Sequence, residues 1–305
     1  MHSYFLGSAL RTRAKHIVER SLVLCGLPML RRVRHRHDVL ILSYHNIVPS
    51  HQWQGDTSLH LPLQDFVEQI DALSRTHDVV PLASLFEAGV SARRPRVVIT
   101  FDDAYSGALT LGIPQLLQRG MPATIFVAPG ILGRRTWWDT LADPAVGAVP
   151  ELMRHRALTE FAGEGEAVLS AMSDISRQRT SSLRIATEQE LRAALPHTGI
   201  AVGSHSWTHS NLTALESDAV NRELRSSMEW LSARFPASFV PWLSYPYGLA
   251  SEIVERAAAA TGFVGAVRVG GGWIGAAERM RRHELPRFNV PCGLSKEGFR
   301  LATAS

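Results

Sequence analysis

Short apolar runs and longer stretches of helical period alternate along most of this chain. Val39-Leu40-Ile41-Leu42-Ser43-Tyr44 is apolar at nearly every position, the pattern of a strand buried on both faces. Helical spacing follows from Leu63 to Leu73, with Phe66, Val67, Ile70 and Leu73 on the apolar side. Arg96-Val97-Val98-Ile99-Thr100-Phe101 reads as a second buried strand, and Ile113 to Gln118 as part of a helix stopped by Gly120. Ala123 to Val127, Ile200 to Gly203, Val240 to Leu243 and Phe263 to Val267 repeat the strand pattern. Parallel strands need a crossover between them, so this alternation predicts an α/β fold with a parallel sheet. Six or seven such units favour a barrel over an open sheet. One long interruption, residues 131–187, carries Trp137-Trp138-Asp139 and then mostly helical, polar sequence. It is expected to form a helical insertion near the barrel mouth.

Composition narrows the class. The chain has 305 residues, 45% of them hydrophobic and 20% charged, enough to bury one large core and too apolar for a disordered or fibrous protein. Residues 1–37 hold eight Lys and Arg against Glu19 alone, a charge of +7, which leaves −3 on residues 38–305 of a chain whose total is +4. Basicity concentrated in an N-terminal arm, and absent from the body, argues against nucleic acid as a partner. The arm surrounds the apolar run Ser21 to Leu30, shorter than the roughly 20 residues that span a bilayer. It has no small-residue cleavage site, and basic residues follow it at once. Two readings follow: a helix packed on the barrel, or a peripheral membrane contact with anionic lipid. An uncleaved export signal is a third. The expected location is cytoplasmic, with peripheral contact at the inner membrane. Cys25 and Cys292 belong to no CxxC pair, so neither a disulfide framework nor a thiolate metal site is indicated.

Two segments carry candidate chemistry. In Thr100-Phe101-Asp102-Asp103 a hydrophobic strand runs into two adjacent carboxylates. Neighbours in a regular strand face opposite ways, so the pair converges only if the strand ends at Phe101 and the chain turns. The C-terminal end of a barrel strand is where such folds place catalytic groups; an acidic turn opening a helix is the plainer alternative. In Ser204-His205-Ser206-Trp207-Thr208-His209, two histidines four apart fit one face of a helical turn and one metal ion. With 13 histidines in the chain a chance pair is unremarkable, but this one also follows a short apolar strand. Together the segments give a set of two histidines and one carboxylate with open positions, suited to a catalytic metal. Asp103 as ligand leaves Asp102 free as a general base.

TFDD and SHSWTH, about 100 residues apart, resemble motifs of the NodB-homology polysaccharide deacetylase family, carbohydrate esterase family 4. Ser244-Tyr245-Pro246-Tyr247-Gly248 is similar to the family's RxPYG, and the likeness runs from about Val39 to Val290. Leu42-Ser43-Tyr44-His45 and Leu285-Pro286-Arg287-Phe288 resemble the branch acting on exopolysaccharides. The resemblance implies a distorted (β/α)7 barrel over residues 38–305. It also implies hydrolysis of N-acetyl groups on an amino sugar of a bacterial glycan or its precursor, and a divalent metal ion, most readily zinc. By the same resemblance Asp102 is the base, Asp103, His205 and His209 are the metal ligands, and the Tyr247 N–H is an oxyanion donor.

Three departures stand out. The family's Gly after the acidic pair is Ala104, which asks little of the backbone if its φ is negative. The Arg of RxPYG is Ser244, so another cation must orient Asp102, with Arg287 the best candidate. The family's Leu-x-His source of the general acid has no clean match. His283 lies near the right place and His45 is the alternative; bound substrate or water is a third. Trp138, with Trp137 and Asp139, offers a sugar-stacking platform or an aromatic plug holding the insertion. De-O-acetylation, deformylation, or a sugar-binding barrel that has lost catalysis are the competing functions.

Overall fold

The computed structural model describes residues 15–51, 54–87, 94–172 and 183–304. Seven parallel strands close a barrel: β1 (Val39–Tyr44), β2 (Arg96–Phe101), β3 (Ala123–Val127), β4 (Ile200–Ser204), β5 (Phe239–Ser244), β6 (Gly265–Val269) and β7 (Leu285–Asn289). Each pairs with the next, and β1 completes the ring by pairing with both β2 and β7. The β1–β2 register holds for all six positions, from Val39 opposite Arg96 to Tyr44 opposite Phe101. The β7–β1 seam is only two pairs long, Leu42 with Phe288 and Ser43 with Asn289. The β2–β3 seam is equally short, Thr100 with Thr124 and Phe101 with Ile125, and the β4–β5 register shifts between Val202 and Ser204, so the barrel is irregular at three seams.

β1, β2 and β3 are buried at every position, which is why they read as unbroken apolar runs. Their alternate residues serve two cores. Leu40, Leu42, Val97 and Ile99 face the surrounding helices. Val39, Ile41, Val98, Phe126, Trp242, Val267 and Leu285 fill the barrel interior. The same alternation carried upward puts Ser43, Thr100, Ser244 and Arg287 in the next interior layer, all fully buried. The barrel is thus apolar below and polar above, and the polar layer lies at the strands' C-terminal ends.

Two elements differ from the sequence reading by two residues or more. The expected strand at Phe263 to Val267 runs from Gly265 to Val269. The preceding helix closes later, with Gly262 at φ 104 as its cap and the Phe263 N–H returning to the Ala258 carbonyl. The expected Leu63–Leu73 helix extends to Thr76.

The described part of the insertion forms short helices, Trp137–Leu141, Glu151–Glu160 and Gly165–Ala171. They share a small core around Trp137, Trp138, Leu141, Val168 and Met172, against which Leu59 and Tyr247 of the barrel loops pack. In the arm, residues 15–24 are helical, Gly26 breaks the chain at φ 78, and Leu27–Arg34 continues as a second helix. Residues 1–14 and 173–182, belonging to the arm and the insertion, lie outside the described residues.

Candidate active site

β2 ends at Phe101, and the chain then turns through two residues in the left-handed region, Asp103 at φ 65 and Ala104 at φ 57. This turn lets adjacent carboxylates enter one site. The sign of φ at Ala104 corrects the easy reading of the Gly replacement. The methyl sits where glycine is favoured, at a cost of about 1–2 kcal/mol held by the surrounding fold.

The HxxxH segment is a loop, and the expected helical turn is absent. Ser206 and His209 both have positive φ, 62 and 61. Glu223, from the helix Ser217–Arg234, accepts hydrogen bonds from the backbone N–H groups of Trp207 and Thr208 at 2.9 and 2.8 Å and fixes the loop from behind. With Tyr247 at φ 59, five of the six non-glycine residues of positive φ among the described residues lie in the loops of this site. Such clustering marks functional loops in folds that can hold the strain.

Asp103, His205 and His209 converge as expected, with one ligand atom from each lying within 4.8 Å of the others. Asp103 Oδ1 is 3.0 Å from His209 Nε2 and 3.4 Å from His205 Nε2, yet has no hydrogen-bond partner of acceptable geometry. Buried acceptor atoms facing one another without a proton between them fit a cation. His205 Nδ1 lies 2.7 Å from the Ser244 carbonyl, which takes that ring N–H and leaves Nε2 with a free lone pair. The His209 ring is held between Trp138, at 4.8 Å, and Tyr247, at 4.6 Å. Burial alone would raise the Asp103 carboxyl, but the imidazoles of His209 and His205 hold it well below the usual range. Burial lowers His209, whereas His205 is raised, its burial outweighed by Asp102 and Asp103.

Asp102 meets Arg287. The guanidinium spans both carboxylate oxygens, at 2.8 and 2.6 Å, and also donates to Thr100 Oγ1 at 3.0 Å and Ser244 Oγ at 2.8 Å. Ser43 Oγ adds a contact to Asp102 at 3.3 Å. Ser244 thus leaves room for, and accepts from, the cation that replaces the family's Arg. Burial would raise Asp102, but Arg287 first, then His205, brings it down to about 2.

The other expected residues divide. His45 is half-buried on the cavity wall, and desolvation lowers its pKa despite Asp103 and Asp102 nearby. His283 does not reach the site. It precedes β7, at the far end of the barrel, and its Nε2 is 2.9 Å from the Phe263 carbonyl. Its assignment as acid falls because it sits in the turn before Leu285, where β7 begins, and does not line the cavity. Trp138 is 5% exposed, too covered to serve as an open platform. It lines the cavity, donates to Tyr105 Oη at 2.8 Å, and buttresses His209. Tyr105 donates in turn to Asp139, which also accepts from the Asp56 N–H and Thr136 Oγ1 and meets His60 Nε2 at 2.9 Å. Tyr247 turns its hydroxyl to the Gly163 carbonyl, at 3.0 Å, so the backbone of its strained turn borders the cavity. Sequence reasoning missed Asp56, Arg154 and Asn289, which also line the cavity. Asn289 was open to discovery, being two residues beyond Arg287 on the same strand face; Asp56 and Arg154 lie in irregular segments and carry no such signal.

The family model for polysaccharide deacetylase matches residues 89–266, more than half of the chain. This chain belongs to the polysaccharide deacetylase family. No curated protein matches it. Among solved structures, the deacetylase PplD of Streptococcus pyogenes, in complex with acetate, is similar at a TM-score of 0.61 and 17% identity, over 87% of this chain and 98% of that one. IcaB from Ammonifex degensii gives 0.62 and 16%, over 88% and 97%. A de-N-acetylase from Aggregatibacter actinomycetemcomitans gives 0.54 and 13%, over 83% and 95%. These likenesses establish a shared fold. The polysaccharide deacetylase described here is a NodB-type member with the seven-stranded barrel the motifs imply.

Proposed function

We propose that this deacetylase is a metal-dependent hydrolase of N-acetyl groups on amino sugars of a bacterial surface glycan. The observation that carries the reading is the division of adjacent carboxylates: Asp102 is paired bidentately with Arg287, and Asp103 is turned toward two imidazoles. A divalent cation held by Asp103, His205 and His209, zinc by the softness of the imidazoles, would polarise the acyl carbonyl and acidify water. Asp102, ionised throughout the working range, takes the proton of the attacking water through a carboxylate whose orientation Arg287 fixes. The Tyr247 backbone N–H stands as donor to the developing oxyanion. Asp102 then passes the proton taken from water to the departing amine as the C–N bond breaks, while His45, whose pKa burial lowers, can hydrogen-bond the sugar.

The cavity over these groups measures about 170 Å³, below the roughly 300 Å³ that engulfs a drug-sized ligand. It therefore takes an acyl group and part of one ring, and the remainder of a glycan lies outside. That one structural neighbour is a de-N-acetylase supports an N-acetyl group as the one removed.

Acetate release from N-acetylglucosamine oligomers is the test. Purified protein is expected to carry one divalent metal per chain and to stop releasing acetate on chelation. Asp102→Asn should keep the metal and lose about 100- to 10,000-fold in turnover. Unimpaired turnover by Asp102→Asn, or full activity of metal-free protein, would overturn the assignment.

A further inference from the structure

Thirteen large hydrophobic residues are exposed among the described residues, and seven of them fall between positions 17 and 33. The arm is nevertheless anchored. Glu19 is buried and accepts from Ser295 Oγ at 2.6 Å, Pro28 is buried, and His35 stacks on Trp273 at 4.8 Å. What remains outside is therefore the arm's second face. At about 100° per residue, Leu24, Ile17, Ser21, Cys25, Val18 and Leu22 follow one another round roughly 160° of the first helix, all exposed. Arg20 borders this arc on one side and Lys15 on the other, while Glu19 points inward. On the second helix Met29, Val33 and Leu30 form a similar exposed arc, with Arg34 at one border and Arg32 at the other.

We propose that residues 15–34 dock this protein on an anionic lipid surface. The exposed charges of the segment are all basic, because its one acid is turned into the protein. A convex apolar strip with cations along both margins suits the plane of a bilayer: apolar side chains enter the acyl boundary and the cations meet headgroup phosphates. Among the described residues no helix is long and apolar enough to cross a membrane. None of residues 15–34 lines the catalytic cavity. This inference does not depend on the substrate.

Flotation of the full chain with vesicles tests it, using phosphatidylcholine alone or mixed with phosphatidylglycerol. The protein is expected to float with the mixed vesicles and to be released by salt. Leu24→Glu combined with Leu30→Glu, and separately Arg31→Glu combined with Arg34→Glu, should each weaken partitioning at least about tenfold. All four positions are exposed, so both variants should keep the parent's melting temperature and its acetate release from soluble oligomers. Failure to float, equal binding to neutral vesicles, or unchanged binding of the leucine variant would each overturn the proposal. A vesicle-independent dimer abolished by the leucine changes would do the same, assigning the face to a second copy of the chain.

Discussion

Deleting the Arg287 side chain would leave Asp102 as a buried charge without a partner. The guanidinium is fully buried and makes two short bonds to Asp102, with further bonds to Thr100 and Ser244. Breaking a buried pair by removing one member costs about 3–5 kcal/mol of stability, and a base displaced by about 1 Å loses about 100-fold in rate. Arg287→Ala should show both. Arg287→Lys keeps the charge but cannot span two oxygens, and a tenfold loss of kcat is about what one lost charged hydrogen bond implies. Arg287→Met with Asp102→Asn removes both charges; stability should largely return while activity stays absent. Arg287→Ser with Ser244→Arg moves the guanidinium to the position its relatives use, and should recover at least about tenfold over Arg287→Ser alone. Melting curves and the kcat and KM of acetate release report each variant, with the effect falling on kcat because Arg287 is not part of the cavity wall. A folded Arg287→Ala or Arg287→Lys enzyme within about twofold of the parent kcat would refute the reasoning.

Three further outcomes follow from neighbouring features. Trp138→Ala removes one wall of the His209 clamp and should weaken metal affinity about 10- to 100-fold, measured by competition with a chromogenic chelator; unchanged affinity would make the contact incidental. Gly248 has φ 71, and a Cβ there would lie 2.9 Å from the Val269 backbone nitrogen. Gly248→Ala is therefore expected to cost about 2–3 kcal/mol in chemical unfolding and to lower kcat through the Tyr247 turn. Burial holds His77 down to about 4, although the Thr303 carbonyl 2.9 Å from its Nε2 opposes the shift. Since the folded value lies below the ordinary 6.5, the unfolded chain binds the proton first. Stability is complete above pH 6.5 and falls as pH drops toward 4, by up to about 3 kcal/mol. His77→Gln should flatten that decline in urea titrations at pH 7 and 4.5, and an unaltered decline would contradict the assignment.

The strands were legible because β1, β2 and β3 are covered on both faces, so burial is written as continuous apolar runs. The trio of Asp103, His205 and His209 was legible as residue types at strand ends, and Arg287 because a buried carboxylate deprived of its usual partner demands a cation. Backbone conformation was not. Spacing of four fits a helical turn and a loop alike; the loop is held by the Glu223 carboxylate of the following long helix together with Ser204 Oγ and Ser206 Oγ, which accept from the Ser206 and His209 N–H groups. Ala104 is compatible with either sign of φ in isolation; its neighbours impose the strained one. His283 failed because closeness in sequence was taken for closeness in space, although it lies in the turn before β7 and Arg287 within the strand. Asp56 and Arg154 reach the cavity wall through packing of the insertion, which leaves no period in the sequence to follow.

The family match ends at residue 266, before the strand that carries Arg287. During synthesis Asp102 therefore emerges 185 residues ahead of its counter-ion. Until β7 zips onto β1 across two residue pairs, that acid has solvent around it, and the interior cannot dry out over an unmatched charge. A fragment ending just after residue 266 would hold the acidic pair, both histidines and the Tyr247 turn, and is expected to be inert. Catalytic competence in this protein arrives with its closing strand.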